Sequence, residues 1–196
     1  MAGGASKRMG REKGRLRWAG IPMAERVASA LGSCVKRVRV VVRPGAIPPV
    51  ELPLVEDRLP VRASIAGVHA ALVACEASAV LVAACDLPEV EPRLLLALLA
   101  LTPDDLGPDG PDVVVPEGPG GSEPLLAIYR PAIVPQIEAQ VGRGELSLRS
   151  LLRTVRTLQV PIDLVRRFDP ELLSFRNVNR PEDLPPPTGH EGHSER

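Results

Sequence analysis

Hydrophobic positions along the chain fall into two kinds of run that take turns. Short blocks of Val, Leu, Ile and Ala predict strands, and longer segments with apolar residues at helical spacing predict helices. Residues 23–31 have helical spacing between Pro22, a favoured helix start, and Gly32, a favoured stop. Strands are predicted at 38–42, before the turn-rich RPGAIPP, and at 52–55, ending at Glu56-Asp57. A helix opened by Ser64 is predicted over 65–75. The run 79–84 is continuously apolar, the mark of a strand buried on both faces, and it ends at Cys85-Asp86-Leu87-Pro88. A leucine-rich helix at 91–101 follows, then strands at 112–115 and 125–129, helices at 132–141 and 147–155, and a strand over 158–165. Between the 112–115 and 125–129 strands, PEGPGGSEP is expected to be too flexible for regular structure and to serve as a binding loop. Strands alternating with helices are the pattern of parallel βαβ units, so the fold class is α/β.

The length, 196 residues, suits a single domain over 1–184 followed by a disordered tail over 185–196. Basic and acidic residues balance at 24 each, so no overall basic field exists to gather nucleic acid or an anionic membrane. Anion binding must therefore be local. Cys34, Cys75 and Cys85 form an odd set without a C-x-x-C pair, which fits neither a disulfide framework nor a zinc site and suits small core residues. His190 and His193 lie in the tail and are not read as metal ligands. No run approaches the ~18 apolar residues needed to cross a bilayer, and no signal peptide is seen, so a cytoplasmic location is expected.

Three stretches carry candidate chemistry. The first is MAGGASKRMGREKG, read as G-G-x-S-x-R-M-G-x-x-K from Gly3 to Lys13. It matches neither the Walker-type loop nor the G-x-G-x-x-G dinucleotide fingerprint. Adjacent glycines nevertheless let several backbone N–H groups converge on one anion, and Arg8 and Lys13 bring positive charge to a polyphosphate. The second is a pair of acids, Asp57 and Asp86, each directly after an apolar strand, where side chains of an open α/β sheet line the ligand crevice. Such a carboxylate could hold Mg²⁺ against phosphate oxygens, or Asp86 could simply cap the next helix. The third is FRNVNRPEDL at 175–184, a strand-to-helix boundary in which Asn179 could cap a turn and Pro181 begin a helix. Asn177 and Asn179 are candidate ligand contacts.

With these stretches in order, the sequence resembles the molybdenum cofactor guanylyltransferase family, within the wider nucleotidyltransferases. The resemblance rests on AGGASKRMGREKG at 2–14, LVEDRL at 54–59, IAGVHAAL at 65–72, AACDLP at 83–88, EPLLAIYR at 123–130, GELSLRSLL at 144–152 and FRNVNRPEDL at 175–184. It implies a Rossmann-like, doubly wound, mostly parallel sheet with helices on both faces. It implies that GTP and molybdenum-bearing molybdopterin combine to give the guanine dinucleotide cofactor and pyrophosphate. By that resemblance Ala2, Gly3 and Gly4 contact the nucleotide, Arg8 and Lys13 its phosphates, Asp57 the nucleoside side, and Asp86 an essential Mg²⁺, with Arg8, Lys13 and Asp86 as the catalytic set. Asn177 and Asn179 fall on the molybdopterin side. Other cofactor-assembly proteins and acceptor molybdoenzymes are the implied partners. Two other readings stand beside this one: a related enzyme using CTP or another phosphorylated acceptor, and a catalytically silent nucleotide-binding accessory protein.

The sequence departs from the family at several places. Arg43 stands where the family has Asn, the approach to I-A-G reads RASIAG, and Arg180 replaces a threonine. Family members carry about five apolar residues, a central strand, ahead of the glycines. That first strand is missing or truncated here, and the expectation is that Met1 is a misplaced start and that the natural protein begins several residues earlier.

Overall fold

The computed structural model describes residues 13–102, 110–179 and 183–184. Ala2, Gly3, Gly4 and Arg8 lie outside the described residues, as do Arg180, Pro181 and the expected tail at 185–196. In chain order the strands and helices are β1 (Arg17–Trp18), β2 (Ile21–Pro22), α1 (Met23–Gly32), β3 (Val40–Val42), β4 (Leu54–Glu56), α2 (Ser64–Val73), β5 (Val80–Ala83) and α3 (Pro92–Leu99). They continue with β6 (Val113–Gly118), β7 (Gly121–Ser122), β8 (Leu126–Tyr129), α4 (Val134–Gly142), α5 (Leu148–Leu151), β9 (Thr157–Val160) and α6 (Ile162–Val165).

The main sheet runs β5-β8-β6-β7, with β9 paired to β6. β6 and β9 are parallel, and β8 is antiparallel to both β5 and β6, so β5, β6 and β9 point one way with β8 reversed between them. A separate parallel pair, β3 and β4, completes the strand set apart from a small hairpin. Strand periodicity explains why helices cover both faces. Val114, Leu126 and Ile128 enter one core cluster, with α3 leucines Leu94, Leu95 and Leu98. Their immediate neighbours Val113, Val115, Ala127 and Tyr129 enter a second cluster, with Ile65 and Val68 of α2, Ile137 of α4 and Leu151 of α5. Successive strand residues thus feed opposite layers, the doubly wound α/β arrangement. Among the described residues no helix is long and apolar enough to cross a membrane.

Several local expectations are corrected. Ser64 is the first residue of α2, and Ala63 caps it with no side-chain hydrogen bond. The segment 116–124 is regular: β6 extends to Gly118, turns over Pro119-Gly120 and returns as β7, with Gly118 paired to Gly121. Gly121 has φ +87°, open to a residue without Cβ, so the glycines that looked like flexibility make a tight hairpin instead. The strand expected over 158–165 stops at Val160, because Pro161 has no N–H to continue the ladder and caps α6. The hairpin of β1 and β2 carries no periodicity signal because its strands are two residues long; Ala19 and Gly20, both with positive φ, make its turn. Val80 and Leu81 are only half-buried, although their run reads as buried on both faces. The three cysteines are free thiols and each is half-buried.

Candidate active site

Asp86 follows β5 at its carboxyl end, and its loop is fixed from three directions. The Arg26 Nε–H of α1 donates to the Pro88 carbonyl at 2.9 Å. The Val178 N–H donates to the Asp86 carbonyl at 3.0 Å. The Glu91 N–H donates to Ser174 Oγ at 2.9 Å, while Arg176 pairs with Glu89 at 2.8 Å. The helix that follows is capped by Glu91, whose carboxylate accepts from the Arg93 N–H, so Asp86 is not the cap of α3. Its carboxylate is left at the sheet's ligand edge.

The Val178 contact matters because it brings the closing motif to Asp86. Val178 is fully buried with Trp18 and Met23, and Leu184 packs on the same cluster. Asn177 and Asn179, on either side of Val178, are exposed. The Asn179 N–H donates to Asp183 Oδ2 at 2.8 Å, so the acid closes the turn rather than Asn179 capping it. Upstream, buried Asp169 accepts from the N–H groups of Leu173 and Ser174, fixing the turn that delivers Phe175.

A second carboxylate joins Asp86. Burial pushes the Glu123 carboxyl above its usual range, and the Asp86 charge pushes it the same way, against the Leu125 N–H and the Arg149 guanidinium. Glu123 follows the β6–β7 hairpin and accepts from the Leu125 N–H at 3.3 Å. Next to it the Pro124 carbonyl accepts a 2.6 Å hydrogen bond from the buried Tyr129 hydroxyl. Arg149 donates to the Gly120 carbonyl at the hairpin tip. Glu123 and Arg149 were not singled out from sequence, although both lie inside stretches that carry the family resemblance. Glu123 stands just after the glycine pair, whereas Arg149 reaches that turn only through the fold and has no local signal.

Asp57 follows β4 and is buried; its N–H donates to the Val42 carbonyl and its Oδ1 accepts from the Leu59 N–H at 3.1 Å. Burial raises its carboxyl above the ordinary value, opposed by that N–H, by Arg43 and by His69. His69 itself is buried on α2, bonded through Nε2 to Glu138 at 3.0 Å, and its Nδ1 has no hydrogen-bond partner among the described residues. An acid whose folded value is raised binds its proton more tightly when folded. Its stabilising contribution is complete at low pH and is lost as pH rises through the raised value. Asp57→Asn is therefore expected to melt above the parent at about pH 8, with the gap closing towards about pH 4. A gap that widens towards acid would contradict the sign.

Lys13 begins the single helical turn Lys13–Arg15, and Gly14 there packs on Pro49 so tightly that a Cβ would lie 2.9 Å from the proline ring. The structure thus brings together Asp86, Glu123 and the closing motif, and sets Asp57 and Arg43 beside one another at the end of the neighbouring strand pair. Carboxylates at the carboxyl ends of strands in a doubly wound sheet mark the ligand crevice of such a fold, and comparisons with known proteins give its class, a nucleotidyltransferase. Residues 1–160 match a family described as the MobA-like NTP transferase domain. A molybdenum cofactor guanylyltransferase of Desulfosudis oleivorans is 30% identical over 186 residues, covering 94% of this chain and 90% of that protein. A probable molybdenum cofactor guanylyltransferase of Bacillus licheniformis is 32% identical over 191 residues, covering 94% and 92%. The crystal structure of molybdopterin-guanine dinucleotide biosynthesis protein A from Archaeoglobus fulgidus superposes with a TM-score of 0.76 at 28% identity, covering 93% of this chain and 91% of that one. A cytidylyltransferase from Thermus thermophilus, at 20% identity and a TM-score of 0.61, shares the fold. The chain belongs to the molybdenum cofactor guanylyltransferase family.

Proposed function

We propose that this nucleotidyltransferase transfers GMP from GTP to the terminal phosphate of molybdenum-molybdopterin, giving the guanine dinucleotide cofactor and pyrophosphate. The observation that carries the reading is the hydrogen bond from Val178 to the Asp86 loop, which sets the family's closing motif against the carboxylate at the nucleotide edge. A terminal phosphate oxygen of the acceptor attacks the α-phosphorus of GTP. The bond to the β-phosphate bridging oxygen breaks, and its electron pair leaves with pyrophosphate. The attacking oxygen is already ionised at neutral pH, so no general base is needed, and catalysis rests on alignment and charge neutralisation. That chemistry requires no catalytic His, Ser or Cys.

The donor set fits a hard divalent cation: carboxylate oxygens, with Asp86 and Glu123 close enough for one charge to disfavour the other. Asp86 would hold Mg²⁺, which supplies positive charge to the α-phosphoryl group and the departing pyrophosphate. The remaining work falls to the chain. Backbone N–H groups at Ala2, Gly3 and Gly4 cradle the nucleotide, Arg8 and Lys13 hold its phosphates, and Asp57 with Arg43 faces the nucleoside. Asn177 and Asn179 meet the molybdopterin side. GTP and molybdopterin are the substrates, cofactor-assembly proteins and acceptor molybdoenzymes the partners, and the reducing cytoplasm suits the three free thiols. A nucleotide screen with molybdopterin and Mg²⁺ tests the reading. Pyrophosphate is expected with GTP; release with CTP alone would favour the cytidylyl alternative that Arg43 keeps in view, and GTP bound but never consumed would favour an accessory role.

A further inference from the structure

Arg149 stands on a rigid scaffold. Buried Gln140 of α4 donates through Nε2 to the Glu145 carbonyl at 3.3 Å and to the Ser147 carbonyl at 3.0 Å, so the connection out of α4 is held from beneath. Ser147 then caps α5 by accepting from the Ser150 N–H at 3.3 Å, and Leu148, Leu151 and Leu152 bury in the second core cluster. With the leucines turned inward, helical spacing turns Arg149 outward. Its guanidinium reaches the tip of the β6–β7 hairpin and donates to the Gly120 carbonyl at 3.1 Å. Two further contacts fix that hairpin: Gln159 Nε2 donates to Ser122 Oγ at 3.0 Å, and the Phe175 ring lies against Gly118.

The hairpin therefore joins Arg149 on one side to the closing motif on the other. Glu123, just past the hairpin, lies within reach of two opposed charges, the Asp86 carboxylate and the Arg149 guanidinium. A phosphate with two negative charges meets repulsion from Asp86 and Glu123 unless a cation on its route offsets it. A guanidinium suits that task, because its planar fork of five N–H donors matches phosphate oxygens in pairs, and the contact to Gly120 occupies one end of the fork. We propose that Arg149 binds the terminal phosphate of the acceptor, gripping it with guanidinium donors beyond those given to Gly120. That role rests on the proposed transfer of GMP to molybdopterin. The acceptor, not GTP, is the partner, because the hairpin that Arg149 holds also carries Phe175, which leads into Asn177 and Asn179 on the molybdopterin side. Arg8 and Lys13 serve the nucleotide phosphates.

The test is equilibrium binding of molybdopterin, followed by pterin fluorescence, beside molybdopterin from which the terminal phosphate has been removed, with GTP titrated separately. The parent is expected to prefer the phosphorylated form. Arg149→Ala should weaken that form about thirtyfold and leave the dephosphorylated form and GTP within about twofold. Arg149→Lys should recover only part of the loss, since an ammonium keeps the charge but not the paired donors. Both variants should melt near the parent, because Arg149 is exposed. Gln159→Ala cuts another tie of the hairpin without removing a charge, and it should leave the phosphate preference unchanged. Equal weakening of both pterin forms by Arg149→Ala would overturn the proposal, making the residue a latch for the hairpin. Weakening of GTP alone, or a parent with no preference for the phosphorylated form, would overturn it too. A parent that binds GTP but neither pterin form would instead remove the acceptor reading, and the role of Arg149 with it.

Discussion

Asp86→Ala is expected to lower GMP transfer at least about a hundredfold while leaving the fold in place. A unit charge ~4 Å from another is worth about 4 kcal/mol at an effective dielectric near 20, or roughly three powers of ten if it acts only in the transition state. The fold should persist because the contact from Val178 goes to the Asp86 backbone carbonyl, which alanine keeps, and because Glu91, not Asp86, caps α3. Lys13→Ala is expected to behave alike, its backbone still forming the turn against Pro49. The check is pyrophosphate release under saturating GTP beside a thermal melt. Near-normal turnover in either variant would remove that residue from the catalytic set.

The second large effect comes from a hydrogen atom. A Cβ built at Gly118 would lie 2.2 Å from Phe175 Cδ1 and 2.7 Å from its Cγ, so the hairpin and the closing motif meet at a contact that only glycine permits. Gly118→Ala must drive the ring away, at a cost of about 1–3 kcal/mol, which lowers the melting temperature by about 2–4 °C per kcal/mol for a domain of this size. Phe175 leads directly into Asn177 and Asn179, so the displacement should also raise KM for molybdopterin about tenfold while that for GTP changes little. Adding Phe175→Leu, which shortens the obstructing ring, should recover part of both losses. Equal increases in the two KM values would show that the closing motif does not serve the acceptor side.

Much of the fold was legible because its strands are pure aliphatic runs and its helices have plain starts and stops. Pro22 and Gly32 bracket α1 nearly as read, and the 79–84 run contains β5. The departures arise where local sequence does not carry the contacts that decide the structure. Gly120 and Gly121 signal flexibility in isolation, yet β7 folds back on β6, and Ile162, Leu164 and Val165 suit a strand, yet Pro161 ends the ladder and Asp163 sits in the first turn of α6. Asp57 and Asp86 were legible as carboxylates after strands. Glu123 was not, because its proximity to Asp86 depends on the reversed strand β8, which places residues distant in sequence side by side: Ala83 pairs with Leu126, three residues beyond Glu123. The tie between Val178 and Asp86 spans nearly half of the chain and leaves no local trace.

The central claim, that the Asp86 edge and the closing motif together form one site for GMP transfer, is tested most directly with GTP labelled at the α-phosphate. Incubated with molybdenum-molybdopterin and Mg²⁺, the protein should move the label into the guanine dinucleotide, with pyrophosphate released in equal amount, and Asp86→Ala should abolish the transfer while still melting as a folded protein. Label that stays in GTP, although the nucleotide binds and the acceptor is intact, would contradict the account.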